Sequence, residues 1–341
     1  MPLNIKPTVL NSSGVWTTTE QELQELYDSP FTGAVTTRTS LLNGFPHDPA
    51  IHQYLYFDAR SNGMKNSRSP MANSMLSTLG CSPISLHQYL DMISRIVSSS
   101  GQRDTRKPFI VSVSGTADDV AQCHKLISHS PAAASVRLLM EVNLLCPHIS
   151  DKPPPVYSAL ALESYLFALQ CPADPVVHST YVDVEIGIKI PPFTWDGQFA
   201  MLIDALLATT AAGMPCPISF ITACNTLGSC LVLEEAPQRD YAPGLASPSG
   251  IGIGGMAGSA LHPLALGNVR TLRMRLDEHA ALRGIEIVGV GGVDNYAGYE
   301  RMRSVGAAAV AVGTAFGRDG VALFEMIANE RATIQKMNGI I

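Results

Sequence analysis

Apolar residues recur along the chain in two alternating patterns, short runs rich in β-branched residues and longer segments with helical spacing. The short runs predict strands, and they lie at Gly33 to Ser40, Phe109 to Ser114, Val136 to Leu144, Val184 to Phe193, Ile218 to Cys224, Ile285 to Val290 and Ala308 to Val312. The longer segments predict helices. These are a segment opened by Ser82-Pro83, a segment opened by the capping-box pair Thr116 and Asp119, Leu160 to Gln170, Phe199 to Ala212, Pro263 to Arg283, a segment that Asp294 caps and Gly306 ends, and Val321 to Lys336.

This alternation amounts to about eight β/α units, with no internal repeat and no linker. Alternating strands and helices indicate a parallel sheet, and this number of units over 341 residues favours a (β/α)8 TIM barrel formed by residues 1–341 as one domain. A doubly wound open sheet is the alternative. It is less favoured because no G-x-G-x-x-G motif follows an early strand.

Composition narrows the class of protein. The net charge of −6 and the absence of a basic run exclude nucleic acid as an expected partner. No run of 18 apolar residues occurs, and Met1 to Gly14 has no targeting pattern, so no membrane span is expected. The 7 cysteines are an odd number without C-x-x-C spacing. We therefore expect a cytoplasmic protein in a reducing compartment, with no metal site.

A lysine lies inside one of the most apolar predicted strands, Val184 to Phe193 (VEIGIKIPPF). Burying the ammonium group of Lys189 is costly unless an anionic group answers it, so this position predicts a site. The alternative is a lysine whose stem packs in the core while its head reaches water.

Other polar and glycine residues also follow the predicted strands. Asn143, Cys146, Asn225 and Thr226 come at or just after strand ends, where the active sites of barrels lie. Two pairs follow the last two strands, and these pairs are Gly291-Gly292 and Gly313-Thr314. Together with a glycine-rich loop at Gly250 to Gly258 (GIGIGGMAG), they predict a cradle for a phosphate group, although each pair alone is more typical of a tight turn.

Eight motifs in order give the chain a family resemblance. They are Asn11 to Val15 (NSSGV), Glu141 to Pro147 (EVNLLCP), Gly187 to Pro192 (GIKIPP), Cys224 to Gly228 (CNTLG), Gly254 to Gly258 (GGMAG), Leu261 to Asn268 (LHPLALGN), Gly289 to Val293 (GVGGV) and Val312 to Thr314 (VGT). With this spacing the chain resembles the dihydroorotate dehydrogenase family, and within it the cytosolic class that uses fumarate (class 1A).

The resemblance implies an FMN enzyme that oxidises dihydroorotate to orotate in pyrimidine biosynthesis and passes the electrons to fumarate. It implies Cys146 as the general base and Lys189 as a cation beside the N1/O2 edge of the flavin. The implied substrate-binding residues are Arg38, Ser77, Gly80, Asn143, Asn225 and Thr226. The implied cofactor-binding residues are Ser13, Gly14, Lys189, Gly254, Gly255, Gly291, Gly292, Gly313 and Thr314. The family also implies a homodimer.

Four positions depart from the family pattern. Arg38 and His262 replace lysines, and Ser77 and His148 replace asparagines. A second register, in which Asn73 takes the place of Ser77, keeps that asparagine but loses the following glycine. Two alternatives stay open for this reason: an FMN oxidoreductase of the same family with another cyclic or conjugated substrate, and a flavin-binding relative without catalysis.

Overall fold

The computed structural model describes residues 3–67, 69–100, 107–145, 154–170, 181–235 and 240–337. Its strands are β1 (Val9–Asn11), β2 (Val35–Thr36), β3 (Tyr54–Phe57), β4 (Met64–Lys65), β5 (Ser74–Ser77), β6 (Phe109–Val113), β7 (Leu138–Asn143), β8 (Glu185–Ile190), β9 (Ile218–Ala223), β10 (Leu227–Cys230), β11 (Leu233–Glu235), β12 (Tyr241–Pro243), β13 (Gly254–Gly258), β14 (Glu286–Val290) and β15 (Ala309–Val312). Its α-helices are α1 (Glu20–Asp28), α2 (Leu86–Ser99), α3 (Ala117–Ser128), α4 (Pro131–Ser135), α5 (Ala159–Gln170), α6 (Asp196–Ala208), α7 (His262–Asp277), α8 (Tyr296–Ser304), α9 (Thr314–Asp319) and α10 (Ala322–Met337). Short 3₁₀ turns lie at Val15–Thr17, Pro155–Tyr157, Ala211–Gly213 and Ser259–Leu261.

Eight of the strands form one parallel sheet in the order β1-β15-β14-β9-β8-β7-β6-β2. From β2 to β15 each barrel strand pairs with the barrel strand that follows it in sequence, and β15 pairs with β1. The ends meet because the side chain of Asn11 binds the backbone of Thr36 twice, accepting from its N–H (2.9 Å) and donating to its carbonyl (2.6 Å). The predicted (β/α)8 barrel is confirmed, and the doubly wound open sheet is wrong. The eighth strand, β1, was not predicted because it has only three residues.

Apolar side chains fill much of the interior of the barrel. This interior cluster comprises Leu3, Ile5, Leu10, Ala34, Ile110, Leu139, Phe220, Val288, Val290, Ala309 and Ala311. The ring of Phe220 occupies the space beside Gly187, since a Cβ there would lie 2.3 Å from the ring. Two residues further along β8, the interior position belongs to Lys189, so the interior changes from apolar to polar at the carboxyl end.

A second sheet, antiparallel and of five strands in the order β10-β13-β5-β3-β4, was not predicted. Strands β11 and β12 form a separate hairpin. The predicted glycine-rich loop at Gly250 to Gly258 is corrected here, because Gly254–Gly258 is strand β13, paired with β5 and β10. The pairing partner β5 lies far away in sequence, so local composition alone indicated a loop.

Several predicted boundaries move. The predicted strand Gly33 to Ser40 reduces to Val35–Thr36 and one bridge from Ser40 to Val113. The helix predicted from Pro263 to Arg283 ends at Asp277, and the helix predicted from Phe199 runs from Asp196 to Ala208.

Helix caps explain two further corrections. Ser85 rather than Ser82 caps α2, with Gln88 completing its capping box, and Asn295 rather than Asp294 caps α8. The capping box of Thr116 and Asp119 is confirmed. Within the described part of the chain, none of the helices is both long enough and apolar enough to cross a membrane.

Candidate functional site

A cavity of about 580 Å³ opens at the carboxyl ends of the barrel strands, between the barrel and the second sheet. It is lined by every predicted site residue that lies in the described part of the chain: Ser13, Gly14, Arg38, Ser77, Gly80, Asn143, Lys189, Asn225, Thr226, Gly254, Gly255, Gly291, Gly292, Gly313 and Thr314. Cys146 and His148 lie outside the described residues. The fold therefore brings together residues spread over some three hundred positions, while their individual roles remain predictions.

Lys189 lies on the cavity floor. It stands opposite Asn143 on one neighbouring strand and Thr222 on the other. Only 4% of the residue is exposed, and its Nζ donates to the Oγ of Ser12 at 3.0 Å. The reading in which its head reaches water is wrong. No carboxylate among the described residues forms an ion pair with it, so a buried cation faces the cavity without an anionic partner.

Two asparagine side chains from neighbouring strand ends contact each other on the cavity wall. Asn143 ends β7, and Asn225 follows β9 with its backbone N–H bound to the carbonyl of Ile190. The Nδ2 of Asn225 donates to the Oδ1 of Asn143 at 3.0 Å. This amide pair is the part of the predicted substrate site that the barrel strands hold directly.

Arg38 lines the same cavity from the segment after β2. Its guanidinium donates to the carbonyl of Gly80 (3.1 Å) and to the hydroxyl of Thr18 (3.4 Å). Burial lowers the pKa of this guanidinium, but an arginine remains a cation at any ordinary pH. Arg38 therefore adds a second positive charge to the cavity, and it ties that charge to the Ser77–Gly80 segment.

The two registers considered for the Ser77 segment are distinguished by position. Ser77 lines the cavity at the end of β5, and its Oγ accepts from the backbone N–H of Leu79 at 3.2 Å. Asn73 is not among the cavity-lining residues, and its Oδ1 instead accepts from the N–H of Ala59 at 2.9 Å. Ser77 and not Asn73 therefore faces the cavity. At this position the cavity wall has a serine hydroxyl, which already accepts a hydrogen bond from its own loop.

Glycines near the cavity allow the backbone to pack more closely than a residue with a side chain would permit. Gly292 has φ of +68°, and a Cβ there would lie 2.7 Å from the carbonyl oxygen of Gly258. Gly255 is similarly constrained, since a Cβ would lie 2.2 Å from the Oγ1 of Thr226. Close backbone approach of this kind leaves N–H groups free of side-chain shielding, which suits an anionic ligand.

His262 does not line the cavity; it supports the loop that does. Its Nδ1 lies 2.7 Å from the carbonyl oxygen of Gly291, and the Nε of Arg301 donates to its Nε2 at 3.0 Å. Because Nε2 accepts, Nδ1 carries the proton and donates to Gly291. The ring is thus a neutral link between helix α8 and the glycine loop.

Sequence reasoning missed several polar residues beneath the cavity floor. Inside the barrel, Ser112 on β6 and Thr222 on β9 each donate to the carboxyl group of Glu141 on β7, and the hydroxyl of Thr39 contacts that of Ser112. The available signal was the spacing of two residues between Glu141 and Asn143, which places both side chains on the same face of a strand.

Cys224 is a buried thiol on the cavity wall. Burial raises its pKa to about 12, with Lys189 opposing the shift. A thiol with that pKa is protonated at neutral pH and is a poor base.

Taken together, the fold and the cavity define a barrel enzyme whose site lies at the carboxyl ends of the strands, as in other (β/α)8 barrels. A family model described as dihydroorotate dehydrogenase matches residues 62–334. The chain belongs to the dihydroorotate dehydrogenase family and is an oxidoreductase of that family.

Individual relatives agree with this assignment. The chain is 29% identical over 335 residues to the putative dihydroorotate dehydrogenase A (fumarate) of Streptococcus pyogenes serotype M5 (strain Manfredo), covering 97% of this chain and 90% of the relative. It is 24% identical over 332 residues to dihydroorotate dehydrogenase A (fumarate) of Lactococcus lactis subsp. lactis (strain IL1403), covering 97% and 91%.

Solved structures show the same fold. The structure of DHODH from Eimeria tenella in complex with ferulenol superposes with a TM-score of 0.69 at 15% identity, covering 97% of this chain and 82% of that one. The ligand-free form of the same protein gives 0.68, with 85% of that chain covered.

Proposed function

We propose that the chain binds FMN in this cavity and oxidises dihydroorotate to orotate, with fumarate as the electron acceptor. The observation that carries the proposal is Lys189, a buried cation without an anionic partner among the described residues, at the floor of a cavity lined by the family's motifs. The names of the curated relatives supply the substrate and the acceptor.

The cavity fits the cofactor on three counts. Its volume lies within the range of about 300–1,000 Å³ that holds small molecules and cofactors. The backbone at Gly292 and Gly255 packs so closely against Gly258 and Thr226 that no side chain fits, and close packing of glycine backbone at a cavity wall suits a phosphate bound through N–H groups. The ammonium group of Lys189 provides a charge for an electron-rich ring edge.

When bound, FMN supplies a two-electron acceptor for a hydride from the substrate. Lys189 holds a fixed positive charge where negative charge develops, which lowers the free energy of the charge-separated state. Asn143 and Asn225 orient the ring of the substrate through their amides, and Arg38 attracts its carboxylate. Cys146 takes the proton from the carbon next to a carbonyl, since a thiol has a pKa of about 8.5 before any perturbation.

Cys224 is a poor candidate for the base, because burial raises its pKa to about 12. Cys146 is the base that the family resemblance implies, and the proposal assigns the role to it on that ground. Arg38 and Lys189 would attract a dicarboxylate acceptor such as fumarate to the same cavity.

A second candidate function is oxidation of a different cyclic or conjugated substrate by the same cofactor. The observation in its favour is the wall at Ser77, where the hydroxyl bonds to the N–H of Leu79 instead of presenting an amide to the cavity. A polar substrate that loses one hydrogen bond binds about 1–3 kcal/mol more weakly, which is enough to change the preferred substrate.

The test is turnover with defined partners. Purified protein is given dihydroorotate and fumarate, and orotate and succinate are quantified by chromatography. Equal amounts of both products are expected. A protein that releases FMN on denaturation yet forms neither product would support the second candidate, and a protein without FMN would contradict both.

Two further parts of the proposal rest on the family resemblance. We propose a homodimer, which light scattering tests by a particle of twice the 36.4 kDa chain mass. We also propose that the reaction takes place in the cytoplasm, which localisation of a tagged chain would check.

A further inference from the structure

Glu141 is a buried acid that the proposed reaction does not use. Glu141 is 3% exposed and points into the barrel from β7, two residues before Asn143. It therefore lies below the level at which Asn143 pairs with Lys189. The hydroxyl of Ser112 donates to its Oε1 at 2.9 Å, and the hydroxyl of Thr222 donates to its Oε2 at 2.6 Å. Among the described residues it forms no ion pair, so these hydroxyls are what satisfies the carboxylate.

A chain of hydrogen bonds runs from this carboxylate to the cavity wall. Ser112 gives its only proton to Glu141, so it must accept in its contact with the Oγ1 of Thr39 at 2.9 Å. Thr39 therefore donates to Ser112, and its Oγ1 accepts from the Nδ2 of Asn143 at 3.3 Å. The hydroxyl of Ser13, 3.1 Å from the Oγ1 of Thr39, joins the chain as a side branch.

The other end of the chain is fixed by the backbone. The Oδ1 of Asn143 accepts from the N–H of Leu145 at 3.1 Å and from the Nδ2 of Asn225 at 3.0 Å. The Oδ1 of Asn225 accepts from the N–H of Thr226 at 2.8 Å. Backbone N–H groups can only donate, and the carboxylate accepts, so every link runs in one direction from Thr226 to Glu141.

This direction decides what the two amides offer to a ligand. Both amide oxygens are used inside the chain, whereas each Nδ2 keeps one N–H that no bond among the described residues uses. Both side chains line the cavity. The edge of the site formed by Asn143 and Asn225 is therefore a pair of donors.

We infer that Glu141 is a positioning residue: as the terminal acceptor of this one-way chain, it orients Asn143 and Asn225 so that the site takes a ligand edge with carbonyl oxygens and rejects an edge with N–H donors. The inference deepens the proposed function and rests on it for the identity of the ligand. The orientation itself depends only on the hydrogen bonds of the chain.

Ser112 and Thr222 provide a matched pair of variants, because each gives one hydrogen bond to the same carboxylate and only Ser112 connects it to Asn143. Ser112→Ala leaves the hydroxyl of Thr39 without its acceptor, so that hydroxyl can turn towards the amide and compete with the native orientation. Thr222→Val keeps the shape of the side chain and leaves the chain intact.

The first readout is the preference between two ligands of the FMN-loaded protein, measured by the change in flavin absorbance on titration. The ligands are orotate and its analogues in which one ring carbonyl, at each position in turn, is replaced by an amino group. We expect Ser112→Ala to lose about tenfold of the preference for orotate, the effect of one hydrogen bond, and Thr222→Val to keep it. Equal changes in both variants, or no change in either, would overturn the inference. Should Ser112→Ala not hold flavin, Glu141→Gln replaces it in the same comparison.

A second readout needs no ligand and separates this inference from the proposed function. With ¹⁵N-labelled asparagine, the side-chain amide signals of Asn143 and Asn225 in the FMN-loaded protein should shift in Ser112→Ala and stay in place in Thr222→Val. Unshifted signals in both variants would overturn the inference even if orotate binds. Shifted signals in a wild-type protein that ignores orotate would support the inference while contradicting the proposed function.

Discussion

The two walls of the cavity are built in different ways. On the barrel wall, adjacent parallel strands place Asn143 and Lys189 side by side, and hydrogen bonds through Thr39 and Ser112 connect Asn143 to a buried acid. On the wall facing it, Ser77 and Gly254 come from antiparallel strands that are far apart in sequence. The barrel wall carries the family motifs that contain Asn143 and Lys189. Ser77, which departs from the family pattern, lies on the sheet wall beside the glycine motif of β13, and Arg38, a second departure, reaches from the segment after β2 to the carbonyl of Gly80. We therefore expect the barrel wall to keep the cofactor chemistry proposed for the site, and the region of Ser77 and Arg38 to differ in substrate binding.

The largest expected effect follows from removing the cation of the barrel wall. Lys189→Met should slow reduction of the flavin by dihydroorotate about 100-fold or more, because a fixed charge at a site of developing charge typically contributes that much. Stopped-flow absorbance measures the rate. The exposed Lys125→Met on α3 is the control and should be unchanged. Equal rates in both variants would remove Lys189 from its proposed role.

The next effect tests the glycine path near the cofactor. Gly292→Ala should lower the affinity for FMN at least tenfold, because its φ of +68° is strained for alanine and its Cβ would meet the carbonyl of Gly258 at 2.7 Å. Fluorescence titration of flavin into the apoprotein gives the dissociation constant. Gly284→Ala is a matched control, since a Cβ there has open space. Similar FMN affinity in the two variants would contradict the cradle.

A smaller effect is expected at Arg38, which contacts the segment that follows strand β5 of the sheet wall. Arg38→Ala should weaken orotate binding about tenfold, as expected for the loss of one charge-assisted hydrogen bond, while FMN stays bound. Titration at low and high salt should show that the variant has lost part of the salt dependence. A variant that loses FMN instead would place Arg38 on the cofactor side and break the comparison between the walls.

The smallest expected effect is on stability at alkaline pH, and it comes from two buried thiols. Burial raises the pKa of both Cys123 and Cys224 from 9.0 to about 12. Between these values the unfolded chain has lost the thiol protons and the folded chain retains them, so the free energy of unfolding should fall as the pH rises from 9 towards 12. Urea unfolding at pH 8 and pH 10 measures the fall. Cys224→Ala should make it shallower, and an identical pH dependence in this variant would contradict the raised pKa.

The site residues on the barrel wall could be predicted because each strand that carries them is recognisable from its own stretch of sequence. Lys189 and Asn143 are recognisable in the sequence as polar residues near the ends of apolar runs, and the pairing of parallel strands then places them side by side. The strands of the sheet wall could not be predicted in this way, because Gly254–Gly258 forms a strand only by pairing with Ser74–Ser77, which lies far away in the sequence. The sequence predicted no role for Glu141, because its hydrogen bonds come from hydroxyls on β6 and β9 that no single stretch of sequence reveals.

The most direct test of the central claim is anaerobic mixing of the FMN-loaded protein with dihydroorotate while the visible absorbance of the flavin is followed. The account predicts rapid bleaching, since the barrel wall retains the cation and both amides that the reaction needs. A flavin that dithionite bleaches and dihydroorotate leaves unchanged would contradict the claim that this cavity oxidises dihydroorotate, and it would assign the altered sheet wall to a different substrate.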